Sequence, residues 1–218
     1  MPYKNFTYSY INCAVDKYGY STLAIDRLGI GLSSRADPLN VIQAPATMSA
    51  IYEVTKRLRA GDLPDVQKKF EKIVHVGHSF GSILTYELVA MHPDISDGII
   101  LTGYSQNGSY VAAISAGMNW QVARMNQPAR FGNHSTGYLT WSNLGSNQYG
   151  FFKPGYFDTQ MLMHSEANKM PATLGEMLTL GSQPRSAPEF KGPVMVFTGS
   201  KSSSCQVYTR YFEIPDVP

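Results

Sequence analysis

Residues 74–82 read Val-His-Val-Gly-His-Ser-Phe-Gly-Ser, and this stretch decides how the chain folds. Its central part matches the pattern G-x-S-x-G at Gly77, Ser79 and Gly81. A short β-branched run precedes the pattern, and apolar residues at helical spacing follow it to about Met91. We therefore predict a strand, a sharp turn at the serine and a helix, in that order.

The predicted turn explains why these residue types stand together. A serine that presents its hydroxyl at the end of a strand needs a sharp, strained backbone. Gly77 and Gly81 lie two residues before and after Ser79, where a Cβ is expected to come too close. The following helix aims its first N–H groups at a reacting carbon, so the N–H of Phe80 is the expected donor to an oxyanion. The alternative is a structural turn in which Ser79 only caps the helix.

The rest of the sequence predicts further elements of a parallel sheet. Short β-branched runs without polar alternation predict buried strands, and an amphipathic pattern between a proline and a glycine predicts a helix. The predicted strands are residues 22–25, 73–76, 98–102 and 193–198, and the predicted helices are residues 45–60 and 79–91. Strands separated by helices indicate an α/β fold whose parallel strands are covered on both faces.

Residues 104–191 differ in composition from the segments on either side. They are rich in aromatic residues, Met, Asn and Gly, carry few charges and show no alternation of strands and helices. Linkers are not this aromatic. We therefore predict that residues 104–191 form an inserted cap, and that residues 1–103 and 192–218 form the core.

Composition and charge exclude several classes of function. With 43% hydrophobic residues and a net charge of +2, the chain is neither disordered nor a nucleic-acid reader. No apolar run approaches the ~20 residues that a membrane-spanning helix needs. The start of the sequence shows no signal peptide, which predicts a cytoplasmic protein if that start is authentic.

Metals and cofactors are not expected. Cys13 and Cys205 leave a single long-range disulfide open, but neither they nor the five histidines have the spacing of metal ligands. Gly29 and Gly31 begin a G-x-G, but Ser34 stands where a dinucleotide fingerprint has its third glycine.

Several segments resemble α/β-hydrolases of the AB hydrolase-1 type in their fungal-like form. They occur in the order and with the spacing of that family. The first contains D-x-x-G-x-G-x-S from Asp26 to Ser33, after the family's fourth strand. The segments that match strands four, five, six and seven are residues 20–33, 74–82, 96–103 and 192–202, and residues 8–18 resemble the helix before strand four.

The resemblance implies a partial α/β-hydrolase fold and a serine hydrolase. Such an enzyme cleaves a carboxylic ester-type bond of a small apolar acyl substrate through an acyl-serine intermediate. Ser79 would be the nucleophile, the Phe80 N–H would hold the oxyanion, and the aromatic cap would line an apolar pocket. The resemblance leaves the oligomeric state open.

The sequence departs from the family where the catalytic acid belongs. The acid normally follows strand seven in a T-G-x-x-D phrase, and Ser202 stands at that position. The second place for an acid, after strand six, holds Tyr104 and Ser105. Asp216 lies too far beyond strand seven to replace it.

The catalytic histidine of the family belongs after an eighth strand, and no histidine follows His164. His78 is expected to point away from Ser79, and His75 to face the sheet interior or a covering helix. His134 and His164 lie in the predicted cap, where they are free in principle to reach the serine.

The family's first three strands should precede residues 8–18, and one of them pairs between strands four and five. Without it, we expect residues 22–25 either to pair directly with residues 73–76 or to leave both with open edges. Three interpretations follow. The chain is a weak serine hydrolase, a non-catalytic relative that binds a small apolar ligand or protein partner, or an incomplete gene product truncated at both ends.

Overall fold

The computed structural model describes residues 9–106, 108, 111–182 and 186–199. The helices are α1 (Tyr10–Asn12, continuing as a π-helical turn over Cys13–Lys17), α2 (Ala44–Ala60), α3 (Phe80–Met91), α4 (Val111–Met118), α5 (Ala123–Asn126), α6 (Pro128–Phe131), α7 (Leu144–Phe151), α8 (Thr159–Asn168) and α9 (Leu174–Thr179). The strands are β1 (Val74–His78), β2 (Gly98–Thr102), β3 (Gln121–Val122), β4 (Tyr138–Thr140), β5 (Ala172–Thr173) and β6 (Val194–Phe197).

A parallel sheet of three strands in the order β1-β2-β6 forms the core. In its register, Ile99 lies between His75 on β1 and Val194 on β6. Helix α3 packs on β1 and β2, and α2 packs on α3. The buried cluster between these layers comprises Met48, Leu88, Val89, Ile95, Ile99 and Leu101. The predicted α/β class is confirmed, as are the strands predicted at residues 73–76, 98–102 and 193–198.

Both predicted helices of the core are confirmed to within one residue. Helix α2 has a proline in its first turn and ends at Gly61, whose φ of 77° is left-handed and suits glycine. Helix α3 ends at Met91, two residues before Pro93, which cannot continue it. Residues 10–17 are helical, within the segment expected to resemble a helix.

Residues 22–25 form no strand, so that prediction is wrong. Leu23 and Ile25 are 49% and 45% exposed, and β1 pairs only with β2 within the described ranges. The run has the composition of a strand but no neighbour to satisfy its backbone groups. Of the two expected arrangements, the open edges are present. Residues 10–15 are helical and supply no third strand.

One face of the parallel sheet is open in the described part of the chain, so the prediction of two covered faces is wrong there. Val76, Ile100 and Met195 are cross-strand neighbours on this face. Val76 is 62% exposed, Met195 55% and Phe197 60%. The reason is topological, because α2 and α3 lie on the opposite face and residues 111–182 build a second sheet instead.

That second sheet is antiparallel, in the order β3-β4-β5, and helices α5 and α9 pack on it. The composition of residues 104–191 gave no sign of strands here. Strands of two or three residues are too short to show a period of two, so sequence patterns miss them. The division of the chain into core and cap stays a prediction.

Lys169 anchors an ion pair inside this region, and its side chain is fully buried. It donates to a Glu166 carboxylate oxygen at 2.6 Å and to the Trp141 carbonyl at 2.7 Å. The other Glu166 oxygen accepts from the Trp141 indole at 2.9 Å and from Asn147 at 3.0 Å. Burial alone would raise the pKa of Glu166, but the bonds from Lys169, Asn147 and Trp141 hold it below its ordinary value. All members of this buried network are therefore satisfied.

Candidate functional site

Ser79 lies in the turn between β1 and α3, with φ 51° and ψ −114°. Residues other than glycine rarely adopt a positive φ, and such strain costs about 1–3 kcal/mol. The backbone N–H of Ser79 donates to the carbonyl of Thr102 at 2.9 Å, which ties the turn to the end of β2. The Ser79 residue is exposed. The predicted sharp turn with an accessible serine is therefore present.

The two glycines of the motif differ in their surroundings. A Cβ on Gly77 would lie 2.5 Å from the carbonyl carbon of Gly81 and 2.6 Å from Cα of Ser82. Because both are backbone atoms, position 77 has no room for any side chain. A Cβ on Gly81 would meet no described atom within 4 Å. The prediction that a Cβ would come too close is thus correct for Gly77 and wrong for Gly81. Gly81 instead contributes backbone atoms that leave no room for a side chain at position 77.

Helix α3 begins at Phe80, directly after the serine. The N–H groups of Ser82 and Ile83 donate to the carbonyl of Ser79, whereas those of Phe80 and Gly81 donate to no described residue. Unpaired N–H groups at a helix start favour negative charge. The Phe80 N–H is therefore available as the predicted donor to an oxyanion. No described residue is identified as a second donor.

The D-x-x-G-x-G-x-S segment folds around Asp26. Its carboxylate accepts from the Leu32 N–H at 2.9 Å, and its carbonyl accepts from the Ser33 hydroxyl at 2.7 Å. Gly31 has φ 55°, and a Cβ there would lie 2.7 Å from Asp26 Oδ1. The spacing of these residues is thus explained by one compact loop that precedes α2.

Arg27 connects this loop to the helix that starts at the serine. Its guanidinium lies 5.0 Å from the ring of Phe80 and forms an ion pair with Glu176. Glu176 is 2% exposed and also closes a capping box with Thr173 at the start of α9. No local sequence pattern predicts this link, because the partners are 149 residues apart. The T-x-x-E spacing of the capping box was the one signal that could have located Glu176 at a helix start.

The loop after β2 and the residues that follow β6 meet at Tyr104 and Thr198. The Thr198 hydroxyl donates to the Tyr104 carbonyl at 3.0 Å and accepts from the Tyr104 N–H at 3.1 Å. No carboxylate belongs to the described residues of these loops, 103–106 and 198–199. Ser202 and Asp216 lie outside the described residues, as does Cys205. The Cys13 thiol is exposed and forms no disulfide with a described residue.

His78 and His75 make contacts away from the serine. The Nδ1 of His78 lies 2.9 Å from the Thr102 hydroxyl, and burial lowers the pKa of this ring. His75 lies between the layers, 3.0 Å from the Thr55 hydroxyl and 2.8 Å from the Ser96 hydroxyl. Both orientations match the sequence prediction.

The histidines of the predicted cap do not reach the serine either. His134 lies 3.5 Å from a guanidinium nitrogen of Arg35, and His164 lies 3.4 Å from the amide of Asn168. Within the described ranges, no histidine is hydrogen-bonded to Ser79. Among the described residues, Ser79, Phe80 and the two glycines thus come together without a base.

Two of the cavities lined by described residues have volumes of about 250 and 300 Å³. Neither is lined by Ser79, so the apolar pocket expected over the serine is not one of these two. In the part of the chain that the structure describes, no cluster of three His, Cys, Asp or Glu side chains could hold a metal ion. Nor does any helix in that part have the length and apolar character needed to cross a membrane.

Comparisons with known proteins identify the fold. No family model matches the chain, and no curated protein matches it in sequence. The methylesterase protein MES16 from Arabidopsis is similar in structure, with 15% identity, a TM-score of 0.55, and coverage of 86% of this chain and 80% of that chain.

Tomato methylketone synthase I is similar as well. Its complex with 2-tridecanone has 13% identity and a TM-score of 0.55, covering 89% of this chain and 83% of that chain. A variant of it complexed with beta-ketoheptanoate has 14% identity and a TM-score of 0.53, covering 92% and 86%. Likeness at this level shows the fold alone, and the chain has a partial α/β-hydrolase fold.

Proposed function

We propose that Ser79 is the nucleophile of a serine hydrolase that acts on carboxylic ester-type bonds in small apolar substrates. The observation that carries this proposal is the positive φ of an exposed serine in the turn between a parallel strand and a helix. Strained residues of this kind cluster at active sites. The presence of a methylesterase among the structural neighbours supports the proposal.

The proposed reaction has two steps. The Oγ of Ser79 bonds to the ester carbonyl carbon as its proton passes to solvent water, and the alkoxy group leaves with a proton as an alcohol. Water then adds to the acyl carbon, releasing the carboxylic acid and restoring the hydroxyl. In both steps the Phe80 N–H donates to the oxyanion.

The lack of a base beside Ser79 in the described part of the chain determines the rate that we expect. Within the described ranges the Ser79 hydroxyl has no hydrogen-bond partner, and every histidine there contacts another group. Loss of triad members typically costs ~10⁴–10⁶ in turnover. We therefore expect weak esterase activity, while covalent capture of a strongly activated electrophile proceeds slowly.

A fluorophosphonate probe tests the nucleophile directly. We expect slow covalent labelling of the folded chain and loss of labelling in Ser79→Ala. The matched control is Ser49→Ala on the exposed side of α2, where the hydroxyl donates only to the Pro45 carbonyl. Labelling that persists in Ser79→Ala, or folded protein that is never labelled, would overturn the proposal.

A second candidate is a non-catalytic protein that binds a small apolar ligand. The absence of a hydrogen-bond partner for the Ser79 hydroxyl among the described residues favours it. The neighbour complexed with 2-tridecanone supports the choice of ligand class. Calorimetric binding of 2-tridecanone that is equal in wild type and Ser79→Ala, without fluorophosphonate labelling, would favour this candidate over the hydrolase.

A further inference from the structure

An open surface cavity of about 250 Å³, lined mostly by exposed residues, lies where the loop after Gly31 meets the turn between α6 and β4. It is distinct from the turn at Ser79. Five of its six lining residues carry hydrogen-bonding or charged side chains, and none is an acid. The lining residues are Arg35, Ala36, Asn133, His134, Ser135 and Tyr138.

Arg35 is the positively charged residue of this lining, and its guanidinium contacts neutral side chains. One guanidinium nitrogen donates to Asn133 Oδ1 at 3.0 Å and lies 3.5 Å from His134 Nδ1. Two other arginines in the described ranges pair with carboxylates instead, Arg27 with Glu176 and Arg59 with Asp97. A guanidinium has five donors, so most of those of Arg35 remain available.

Neutral groups complete the lining. Asn133 accepts from Arg35 through its oxygen, which leaves its amide N–H groups as donors. Ser135 adds a hydroxyl. The Ala36 carbonyl, which would repel an anion, already accepts from the Tyr138 hydroxyl at 3.1 Å. The cavity therefore presents donors and one positive charge to a ligand.

The ring of His134 is held edge-on between two aromatic rings. Its centroid lies 5.3 Å from that of Phe131 and 5.0 Å from that of Tyr138. Burial, followed by the charge of Arg35, lowers the pKa of His134, and the Phe131 backbone partly offsets this. A second charged group near this ring is Arg130 of α6, whose guanidinium lies 4.7 Å from the Phe131 ring.

We propose that this cavity binds a small monocarboxylate, which pairs with the guanidinium of Arg35 and accepts hydrogen bonds from Asn133 and Ser135. A planar guanidinium matches a carboxylate in two parallel hydrogen bonds. One positive charge balances a single negative charge, which favours a carboxylate over a phosphate dianion. An anion placed here also cancels the repulsion between Arg35 and a protonated His134, so binding raises the pKa of that ring.

The test follows the ring protons of His134 by NMR while acetate replaces chloride at constant ionic strength. We expect a saturable shift and a higher pKa of His134 in acetate. Arg35→Gln should weaken acetate binding roughly 10-fold or more, since hydrogen bonds to charged groups are worth about 1.5–3 kcal/mol. Arg124→Gln removes one positive charge from an exposed position outside the cavity and should leave binding unchanged.

A second variant checks the assignment without removing Arg35. Asn133→Asp places a carboxylate beside the guanidinium, so it should raise the pKa of His134 and abolish acetate binding. A titration without saturation, or an equal response in Arg35→Gln and wild type, would contradict the proposal. Tighter binding of inorganic phosphate than of acetate would overturn the choice of a carboxylate. Ser79→Ala should bind acetate like wild type, so this outcome is separate from that of the hydrolase proposal.

Discussion

The backbone N–H of Ser79 donates to the carbonyl oxygen of Thr102 across 2.9 Å, and this bond fastens the strained turn after β1 to the end of β2. The same carbonyl accepts from the hydroxyl of Ser82 at 2.8 Å. Two donors from one turn thus converge on one acceptor. The neighbouring strand therefore supports a backbone conformation that Ser79 would not keep alone.

Replacing either motif glycine by alanine should have opposite effects. In Gly77→Ala the Cβ would clash with the backbone of Gly81 and Ser82. We expect the free energy of unfolding to fall by about 1–3 kcal/mol or more. In Gly81→Ala the Cβ has open space on a helix. We expect the free energy of unfolding to rise by about 0.5–1 kcal/mol, because alanine favours a helix more than glycine does. Urea unfolding of both variants measures the difference, and equal losses would contradict this account.

Removing the cation from the Arg27–Glu176 pair should destabilise the chain. Arg27→Gln leaves a carboxylate that is 2% exposed without its cation, which we expect to cost roughly 3 kcal/mol. The matched control is Lys56→Gln, which breaks the exposed pair with Glu53 and should not change the unfolding midpoint. Similar midpoints for both variants would show that the buried pair contributes little.

Stability should fall in mild acid because of His75. Burial, then the charge of Arg59, lowers the pKa of His75 from 6.5 to about 4. The unfolded chain therefore takes up this proton below pH 6.5, while the folded chain does so only near pH 4. The stability present above pH 6.5 is lost between pH 6.5 and 4, by about 3 kcal/mol at most.

Urea unfolding midpoints between pH 4 and 7 measure this loss. His75→Gln should flatten the pH dependence, and His164→Gln on α8 should keep it. Asp97 acts in a different range, because the Ile73 N–H, with Arg59 and Lys72, lowers its pKa to about 2. Its contribution is lost only between about pH 3.8 and 2. If the unfolding midpoint of His75→Gln depended on pH between 4 and 7 as strongly as that of the wild type, the loss of stability would not be due to His75.

The open face and edge of the parallel sheet should promote self-association. Val76 is 62% exposed and lies on β1, whose outer edge has no partner strand in the described part of the chain. Val76→Lys therefore places a charge where another strand would pair. We expect fewer large species in sedimentation velocity with unchanged circular dichroism. Leu178→Lys, at a 71% exposed position on α9, is the control and should not alter association. Equal association of Val76→Lys and wild type would refute the role of this edge.

Local patterns predicted the core well because each signal is contained in a few consecutive residues. The turn at Ser79 follows from Gly-x-Ser-x-Gly between a β-branched run and a helical pattern. Helix α2 follows from Pro45 and Gly61 at its ends. Residues 22–25 failed for the opposite reason, because a strand depends on a partner elsewhere in the chain, and none lies beside them in the described part.

Only those parts of the candidate sites whose residues are close in sequence could be predicted. Ser79 and Phe80 are adjacent in sequence, so one motif locates both. Arg27 and Glu176 are 149 residues apart, and Arg35 and His134 are 99 apart, so no local pattern connects them. The short strands of the second sheet bring such distant residues together, and they leave no periodic signal.

The buried amine of Lys169 has a practical consequence for following this molecule in solution. Reagents that acylate amines need access to the nitrogen, which the packing around Lys169 denies while surface amines such as those of Lys56 and Lys72 react freely. Delayed modification at this one position, read by mass spectrometry, would therefore time the opening of the second sheet and its helices independently of the parallel one.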